Sequence, residues 1–190
     1  RQAGWLPVEV EWDIHAKSEL LIAGIPLHGR IDLLERNEET GVYRVVDYKT
    51  SDKGDVPQKV HLSKVIASSA DPVLPACDFE DGKNVARWKD LQLPLYQLAV
   101  QKMSDQPVEC AYLCLAKAVK DVCMARWTPS EQQSAAALAC AEAVVDNIQK
   151  GYFPIPERSQ YEDPWLPWLG VDYKTGIDPE WLTKHTEVSS

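Results

Sequence analysis

The residues in this sequence best suited to chemistry are two aspartates and a lysine, Asp32, Asp47 and Lys49. Asp47 and Lys49 lie two apart in an apolar, strand-like run. Because side chains alternate along a strand, these two point to the same face. If a turn between residues 36 and 41 joins the preceding strand antiparallel to this one, Asp32 comes within diagonal-neighbour distance of Asp47, subject to register. Two carboxylates and an ammonium group would then converge.

Such a group of side chains suits a hard divalent cation. Mg²⁺ prefers oxygen ligands, and one or two carboxylates commonly bind it, with water and substrate phosphate as the remaining ligands. A bound cation acidifies water and neutralises charge on a phosphate, while a nearby lysine can orient the attacking water or stabilise the charge that develops. The pattern therefore indicates phosphodiester hydrolysis with Mg²⁺ or Mn²⁺ as cofactor.

Three short motifs follow one another along the chain: Gly29-Arg30-Ile31-Asp32, Val46-Asp47-Tyr48-Lys49-Thr50 and Gln92-Leu93-Pro94-Leu95-Tyr96. In order and spacing they resemble the motifs of RecB-like nuclease domains in the PD-(D/E)xK superfamily. The likeness covers roughly residues 8 to 155. It implies a restriction-endonuclease-like fold of the α/β class, in which helices flank a mixed sheet. It also implies that Asp32, Asp47 and the main-chain carbonyl of Tyr48 bind the metal ion, and that Lys49 serves the attacking water.

The third motif supplies candidates for contact with the substrate. Gln92 and Tyr96 are four residues apart, so on a helix they share a face, which in the family supports the lysine and touches DNA. Arg30, inside the first motif, is a further candidate for substrate binding or site support. From the resemblance we expect a DNA exonuclease that acts in recombination and repair, with a helicase or another recombination protein as a candidate partner.

Two features depart from the family pattern. Many relatives hold an iron–sulfur cluster on four cysteines, some of which follow a segment similar to residues 148–156; here no cysteine follows it, and we expect no cluster. Relatives also carry a helix before the first strand that supplies a Glu or His to the metal. Nothing before Val8 can do so, and Glu9, Glu11 and His15 are poor substitutes because they lie on or beside the first strand.

Plainer interpretations compete with the catalytic one. Asp47 and Lys49 could form an ordinary surface ion pair, and Asp32 could merely end a strand. Gln92 and Tyr96 could be plain helix residues. The histidines have no ligand spacing and are interpreted as structural: His15, His28, His61 and His185. At the level of function, the alternative is a degenerate nuclease fold that binds DNA or assembles within a helicase–nuclease complex. The intact aspartate and lysine set favours the enzyme.

Strands near the start of the chain are predicted from the alternation of apolar and polar residues. Polar or Gly/Pro-containing links separate them, which indicates an antiparallel meander. The predicted strands are Val8–Ile14, Leu20–Ile25, Leu27–Leu34 and Val42–Tyr48. The following stretch, residues 50–83, is rich in polar residues and is interpreted as a long excursion with one short helix near residues 58–67.

Helical spacing dominates the second half. One helix is predicted over residues 84–103, with Pro94 expected to kink it or to start a new helix. Neighbouring strands are predicted at residues 108–116 and 122–127, partly parallel to the earlier ones. The run Thr128-Pro129-Ser130-Glu131 has the form of a capping box with proline at the first helical position, and it predicts a helix that ends at Gly151.

Composition limits the class of protein. A chain of 190 residues suits one domain, placed at residues 1–155, with an irregular Trp/Pro-rich tail at 156–190 packed on it. A start at Arg1 also suggests a piece of a longer polypeptide. Without a long apolar run or a signal-like start, we expect a cytoplasmic protein with no membrane contact.

The net charge of −9 argues against a protein that coats nucleic acid. The five cysteines lack a C-x-x-C pair and indicate reduced thiols. A second Asp-Tyr-Lys-Thr at 172–175 has no matching context and is interpreted as coincidence.

Overall fold

The computed structural model describes residues 4–50, 56–65 and 74–152. Its strands are β1 (Trp5–Asp13), β2 (Leu21–Ile22), β3 (Ile25–Pro26), β4 (Arg30–Asn37), β5 (Tyr43–Lys49), β6 (Leu62–Lys64), β7 (Asp78–Asp81), β8 (Asn84–Trp88), β9 (Val108–Cys114) and β10 (Cys123–Arg126). Its helices are α1 (Ile14–Lys17), α2 (Pro57–His61), α3 (Gln92–Gln101) and α4 (Glu131–Gln149).

The central sheet has five strands in the order β1-β4-β5-β9-β10. β5 and β9 run parallel, and every other neighbouring pair in this sheet is antiparallel. The α/β class, the restriction-endonuclease-like fold and the change from antiparallel to parallel pairing predicted from the sequence are confirmed. In the described part of the chain, no helix combines the length and the apolar character needed to cross a membrane.

The meander of four long strands predicted near the start is wrong in its middle. Residues 20–34 do not form two long strands, because β2 and β3 pair with each other as a short separate hairpin. Ala23 and Gly24 both have positive φ, 47° and 80°, as a tight two-residue hairpin turn requires. β1 therefore pairs directly with β4, which pairs with β5.

The helix predicted over residues 84–103 is also wrong in its first part. Residues 84–88 form strand β8, in which Ala86 and Trp88 are buried while Val85 is exposed, the period-two pattern of a strand. The helix α3 begins only at Gln92, so Pro94 lies in its first turn. There its missing N–H removes no helical hydrogen bond, and the expected new helix start is confirmed.

The region after β5 holds less helix than predicted. α2 ends at His61, and the chain continues as strand β6, while residues 66–67 lie outside the described part. β6, β8 and β7 form a three-stranded sheet in that order. One face of this sheet shares a second core with α4, whose buried members are Leu62, Ala86, Trp88, Ala137 and Cys140.

Helix α4 confirms the predicted helix, but its start is displaced. Ser130 Oγ accepts a hydrogen bond from Gln133 N at 3.2 Å, and Gln133 Oε1 accepts one from Ser130 N at 3.0 Å. The capping box is therefore formed by Ser130 and Gln133. Thr128 instead accepts a hydrogen bond from Cys110 N through its Oγ1, at 3.3 Å. Gly151 follows the helix with a φ of 67°, as a C-terminal glycine does.

The predicted tail lies outside the described residues, and so does the second Asp-Tyr-Lys-Thr at 172–175. The proposed division into a domain at 1–155 and a tail at 156–190 stays a prediction.

Candidate active site

Asp32 lies where the pairing of β4 with β5 opens. The register runs from Arg36 opposite Tyr43 to Leu33 opposite Val46, and one further step would set Asp32 opposite Asp47. At that position the side chain of Asp32 accepts the hydrogen bond instead, from the main-chain N–H of Tyr48 to Oδ2 at 2.7 Å. This hydrogen bond fixes the carboxylate of Asp32 beside the end of β5 that carries Asp47 and Lys49.

Asp47 is a buried carboxylate, with only 3% of its surface exposed. Lys49 Nζ lies 2.8 Å from Asp47 Oδ2 and forms an ion pair with it, so the ammonium of Lys49 compensates the charge of this buried oxygen. Burial raises the pKa of Asp47, the contact with Lys49 opposes the rise, and the charges of Asp32 and Asp90 add to it. An ordinary surface ion pair does not describe this arrangement.

Helix α3 holds the lysine from the other side. Lys49 Nζ donates a hydrogen bond to Gln92 Oε1 at 3.1 Å, and Gln92 Nε2 donates one to the hydroxyl of Tyr96 at 3.4 Å. Burial raises the pKa of Tyr96, and the charges of Asp47 and Asp32 add to the rise. The structure thus brings Gln92 and Tyr96 to the aspartates and the lysine, with the lysine ammonium also 4.8 Å from the centroid of the Tyr112 ring.

The glycine of the first motif permits this close packing. A Cβ at Gly29 would lie 3.2 Å from Ile14 Cδ1 and 3.5 Å from Tyr96 Cε1. The first of these separations is tighter than side chains normally tolerate, so a side chain here would displace its neighbours. Gly29 therefore allows Tyr96 to approach the strand that carries Asp32.

Two of the residues predicted to belong to the site, Arg30 and Tyr48, are exposed to solvent. Arg30 is exposed at the start of β4, and its Nη1 is 3.9 Å from Glu11 Oε2. Tyr48 is 39% exposed, and its main-chain N–H donates a hydrogen bond to Asp32. Burial raises the pKa of Tyr48, and the charge of Asp32 is the next cause. The roles of Arg30 in substrate binding and of the Tyr48 carbonyl in metal binding stay predictions.

Glu11 is the strained residue of β1. It has a φ of 54°, in the left-handed region that residues other than glycine rarely adopt. Among residues 4–50, 56–65 and 74–152, no three His, Cys, Asp or Glu side chains come together in a group that could hold a metal ion. Glu11 therefore does not form such a three-residue group with Asp32 and Asp47 in the structure.

The two aspartates nevertheless fit a divalent cation. Mg²⁺ sites often use only one or two carboxylates, completed by water and phosphate oxygens. Asp47 is buried close to the second carboxylate of Asp32, and a cation would lower the electrostatic cost of keeping both carboxylates ionised.

Two residues in the surroundings of Lys49, His61 and Tyr112, are not identified by the sequence. His61 is completely buried, and its Nε2 lies 2.6 Å from the hydroxyl of Tyr112. Tyr112 is the β9 residue paired with Asp47 across the parallel strands. Nothing in the local sequence of His61 or Tyr112 connects either residue with Lys49, so the sequence predicts a structural histidine and does not distinguish Tyr112 from other strand residues.

The comparisons with known proteins agree with this geometry. The family model for the PD-(D/E)XK nuclease superfamily matches residues 1–160 of the 190-residue chain. The chain belongs to this superfamily. No curated protein and no solved structure matched the chain. Membership of the PD-(D/E)XK nuclease superfamily is thus shown, while the narrower RecB-like type stays a prediction.

Proposed function

We propose that this protein is a metal-dependent nuclease whose active site is formed by Asp32, Asp47 and Lys49. The observation that carries the proposal is the buried carboxylate of Asp47, which lies close to a second aspartate, Asp32, and 2.8 Å from the ammonium of Lys49. A buried carboxylate next to a second carboxylate lowers the stability of a fold, so this arrangement suggests a function in binding positive charge.

In the proposed mechanism, Asp32, Asp47 and the carbonyl of Tyr48 would hold the ion. When bound, Mg²⁺ or Mn²⁺ supplies positive charge that stabilises the phosphate in the transition state and acidifies water. The hydrogen bond from Tyr48 N fixes the carboxylate of Asp32 in advance. Lys49, held by Gln92 and facing Asp47, presents its ammonium at the same place, where it can orient the attacking water and offset the developing negative charge.

We further propose that the substrate is DNA, that the enzyme acts as an exonuclease, and that it works in recombination and repair with a helicase or another recombination protein. The resemblance of the three motifs to RecB-like domains supports this part. Arg30 and Tyr96 are the residues proposed to contact the DNA, since Arg30 is exposed at the start of β4 and Tyr96 lies at the site.

The test is cleavage of end-labelled single- and double-stranded DNA with Mg²⁺ or Mn²⁺. We expect Asp47→Ala and Lys49→Ala each to lower the rate at least about a hundred-fold, because the first removes a ligand of the cation and the second removes positive charge that stabilises the transition state. The matched controls are Asp146→Ala and Lys150→Ala, which change the same residue types in an exposed ion pair at the end of α4 and should leave the rate unchanged.

The products distinguish the modes of cleavage, because an exonuclease releases short products from an end and an endonuclease cuts internally. A parent protein that binds DNA but cuts neither substrate with either metal would contradict the proposal. That result would favour the alternative, a nuclease fold that serves in DNA binding or assembly.

A further inference from the structure

A buried histidine lies behind the proposed active site with both ring nitrogens engaged. His61 Nδ1 is 2.8 Å from the main-chain oxygen of Asp90, and His61 Nε2 is 2.6 Å from the hydroxyl of Tyr112. A carbonyl oxygen can only accept a hydrogen bond, so Nδ1 must carry the proton. In the neutral ring with this tautomer, Nε2 accepts a hydrogen bond from the hydroxyl of Tyr112.

Both hydrogen-bond partners of His61, Tyr112 and Asp90, are connected through further contacts to Lys49, the proposed catalytic lysine. On one side, the ring of Tyr112 faces Lys49, whose Nζ is 4.8 Å from the ring centroid. On the other side, Asp90 Oδ1 accepts a hydrogen bond from Gln92 N at 2.7 Å, and Gln92 Oε1 accepts one from Lys49 Nζ at 3.1 Å. The contacts thus form a closed circuit that begins and ends at His61 and contains Lys49.

We propose that His61 is a positioning residue for Lys49: as a neutral imidazole protonated on Nδ1, it fixes the Tyr112 ring and the Asp90–Gln92 start of α3, between which the lysine ammonium is held. The inference rests on the proposed function, in which Lys49 acts at the phosphate. A tyrosine hydroxyl that donates its hydrogen makes the ring more electron-rich, which strengthens its attraction for an ammonium group.

The surroundings of His61 favour the neutral form. Burial lowers the pKa of His61, and although the contact with Asp90 opposes this change, burial is the larger cause. The indole of Trp127 stacks on the imidazole with ring centroids 5.3 Å apart, which shields it further. The charged groups that act on the pKa of His61 are Asp90, Lys49 and Asp47, and all of them belong to the site or to its support.

Three variants separate the two arms of the circuit. In His61→Asn the side-chain amide can replace Nδ1 and keep the contact with Asp90, but it cannot reach Tyr112. In His61→Gln the longer side chain can still accept a hydrogen bond from Tyr112. Tyr112→Phe removes the hydroxyl and keeps the ring over Lys49. The control is Ser134→Ala, which removes a buried hydrogen bond from Ser134 Oγ to Gln97 Oε1 of 2.8 Å.

The measurements are kcat and KM on one DNA substrate, with the thermal midpoint of each variant. We expect His61→Asn and Tyr112→Phe each to lower kcat about five- to ten-fold with KM unchanged, the size expected for one lost hydrogen bond that orients a catalytic group. The double variant should be no slower than either single one, because both remove the same bond. His61→Gln should keep more of the activity than His61→Asn, and Ser134→Ala should lower the thermal midpoint without lowering kcat.

A different set of results would overturn the inference and leave the nuclease function intact. These results are an unchanged kcat in His61→Asn and Tyr112→Phe, effects that add in the double variant, a loss confined to KM, or an equal loss of kcat in Ser134→Ala. A parent without cleavage would instead contradict the proposed function. A nitrogen-15 NMR spectrum of the histidine ring tests the circuit independently of activity: a proton on Nδ1 supports the assignment, and a proton on Nε2 overturns it.

Discussion

At the scale of single residues, Asp47 is a buried carboxylate whose surroundings raise its pKa. Burial is the largest cause of its raised pKa, and Asp32 and Asp90 add to it. Lys49 compensates in part, because its ammonium is 2.8 Å away. A buried charge with incomplete compensation destabilises the folded state, and positions of this kind are often retained because activity requires them.

The first prediction concerns Asp47→Asn in the absence of metal. The folded protein holds a proton on Asp47 more tightly than the unfolded chain does, because the pKa is raised on folding. The parent therefore loses stability as the pH rises from the ordinary aspartate value through the raised one. We expect the variant to have the higher thermal midpoint at neutral pH, and the difference to disappear below about pH 4, where both forms are neutral.

The same series can be repeated with Mg²⁺. A ligand that binds only the folded state raises its stability, so Mg²⁺ should raise the thermal midpoint of the parent and leave that of Asp47→Asn unchanged. Scanning fluorimetry in chelator and in Mg²⁺ measures both effects. Identical midpoints for the two proteins at every pH would contradict the destabilising role of the Asp47 charge.

The second prediction concerns Gly29→Ala. The added Cβ would lie 3.2 Å from Ile14 and 3.5 Å from Tyr96, so we expect a loss of about 1–3 kcal/mol in the free energy of unfolding and a displaced Tyr96 with reduced cleavage. Gly24→Ala is the control, since a Cβ there meets nothing within 4 Å and only the positive φ of 80° is disfavoured. Full activity in Gly29→Ala would show that the position of Tyr96 does not matter.

At the scale of elements, the register between β4 and β5 decides whether the two aspartates meet. A shift by one residue would turn every side chain of one strand to the other face. Opposite residues Glu35 and Arg44 mark this register, with Arg44 Nε 2.8 Å from Glu35 Oε2. Arg44 is almost completely buried, and its guanidinium lies 4.0 Å from the centroid of the Trp5 ring. A slipped register would leave the guanidinium of Arg44 buried without the carboxylate of Glu35, which is strongly unfavourable.

The third prediction concerns the start of α4. Ser130→Ala removes the hydroxyl that accepts the N–H of Gln133, and we expect a loss of about 1 kcal/mol in stability, a fall of about 2–4 °C in the thermal midpoint. Ser130→Asp keeps a capping oxygen and should retain the midpoint of the parent. If the thermal midpoint fell by about 2–4 °C in Thr128→Ala and did not fall in Ser130→Ala, the cap would instead be located at Thr128.

At the scale of the whole molecule, the described fold has a second core between the three-stranded sheet and α4. Cys77 lies at its edge, and its Sγ is 3.0 Å from that of the buried Cys140. Both are free thiols. Burial raises the pKa of Cys140 to about 12, and the contact with Cys77 contributes to the rise. Burial also raises the pKa of Cys110 in the central sheet.

The fourth prediction uses these thiols to report on global packing. Only the thiolate reacts readily with disulfide reagents, so buried thiols with raised pKa should be protected in the folded protein. At mildly alkaline pH we expect Cys123, which is exposed, to react first and Cys77 more slowly, while Cys110, Cys114 and Cys140 stay unreacted. All five cysteines should react in concentrated guanidinium. Fast labelling of Cys140 in the native protein would show that α4 separates readily from the second core.

The sequence by itself determined what depends on near neighbours along the chain. The alternation of a strand already set Asp47 and Lys49 on one face, and a spacing of four already set Gln92 and Tyr96 on one face of α3. The helix up to Gly151 was also predictable, because apolar spacing and end signals are local. The three motifs further indicated the superfamily, which the family model shows.

Tertiary structure decided what depends on residues far apart in the chain. Residues 84–88 carry helical spacing, yet they form a strand because β6 and β7 pair on either side of them. Thr128 has the better local context for a cap, yet it binds Cys110 and leaves the cap to Ser130. His61 is separated from Tyr112 by 51 positions, so only the folded chain could join it to the lysine. Contacts of this kind have no local signal, because the free energy that fixes them comes from packing and pairing between distant segments.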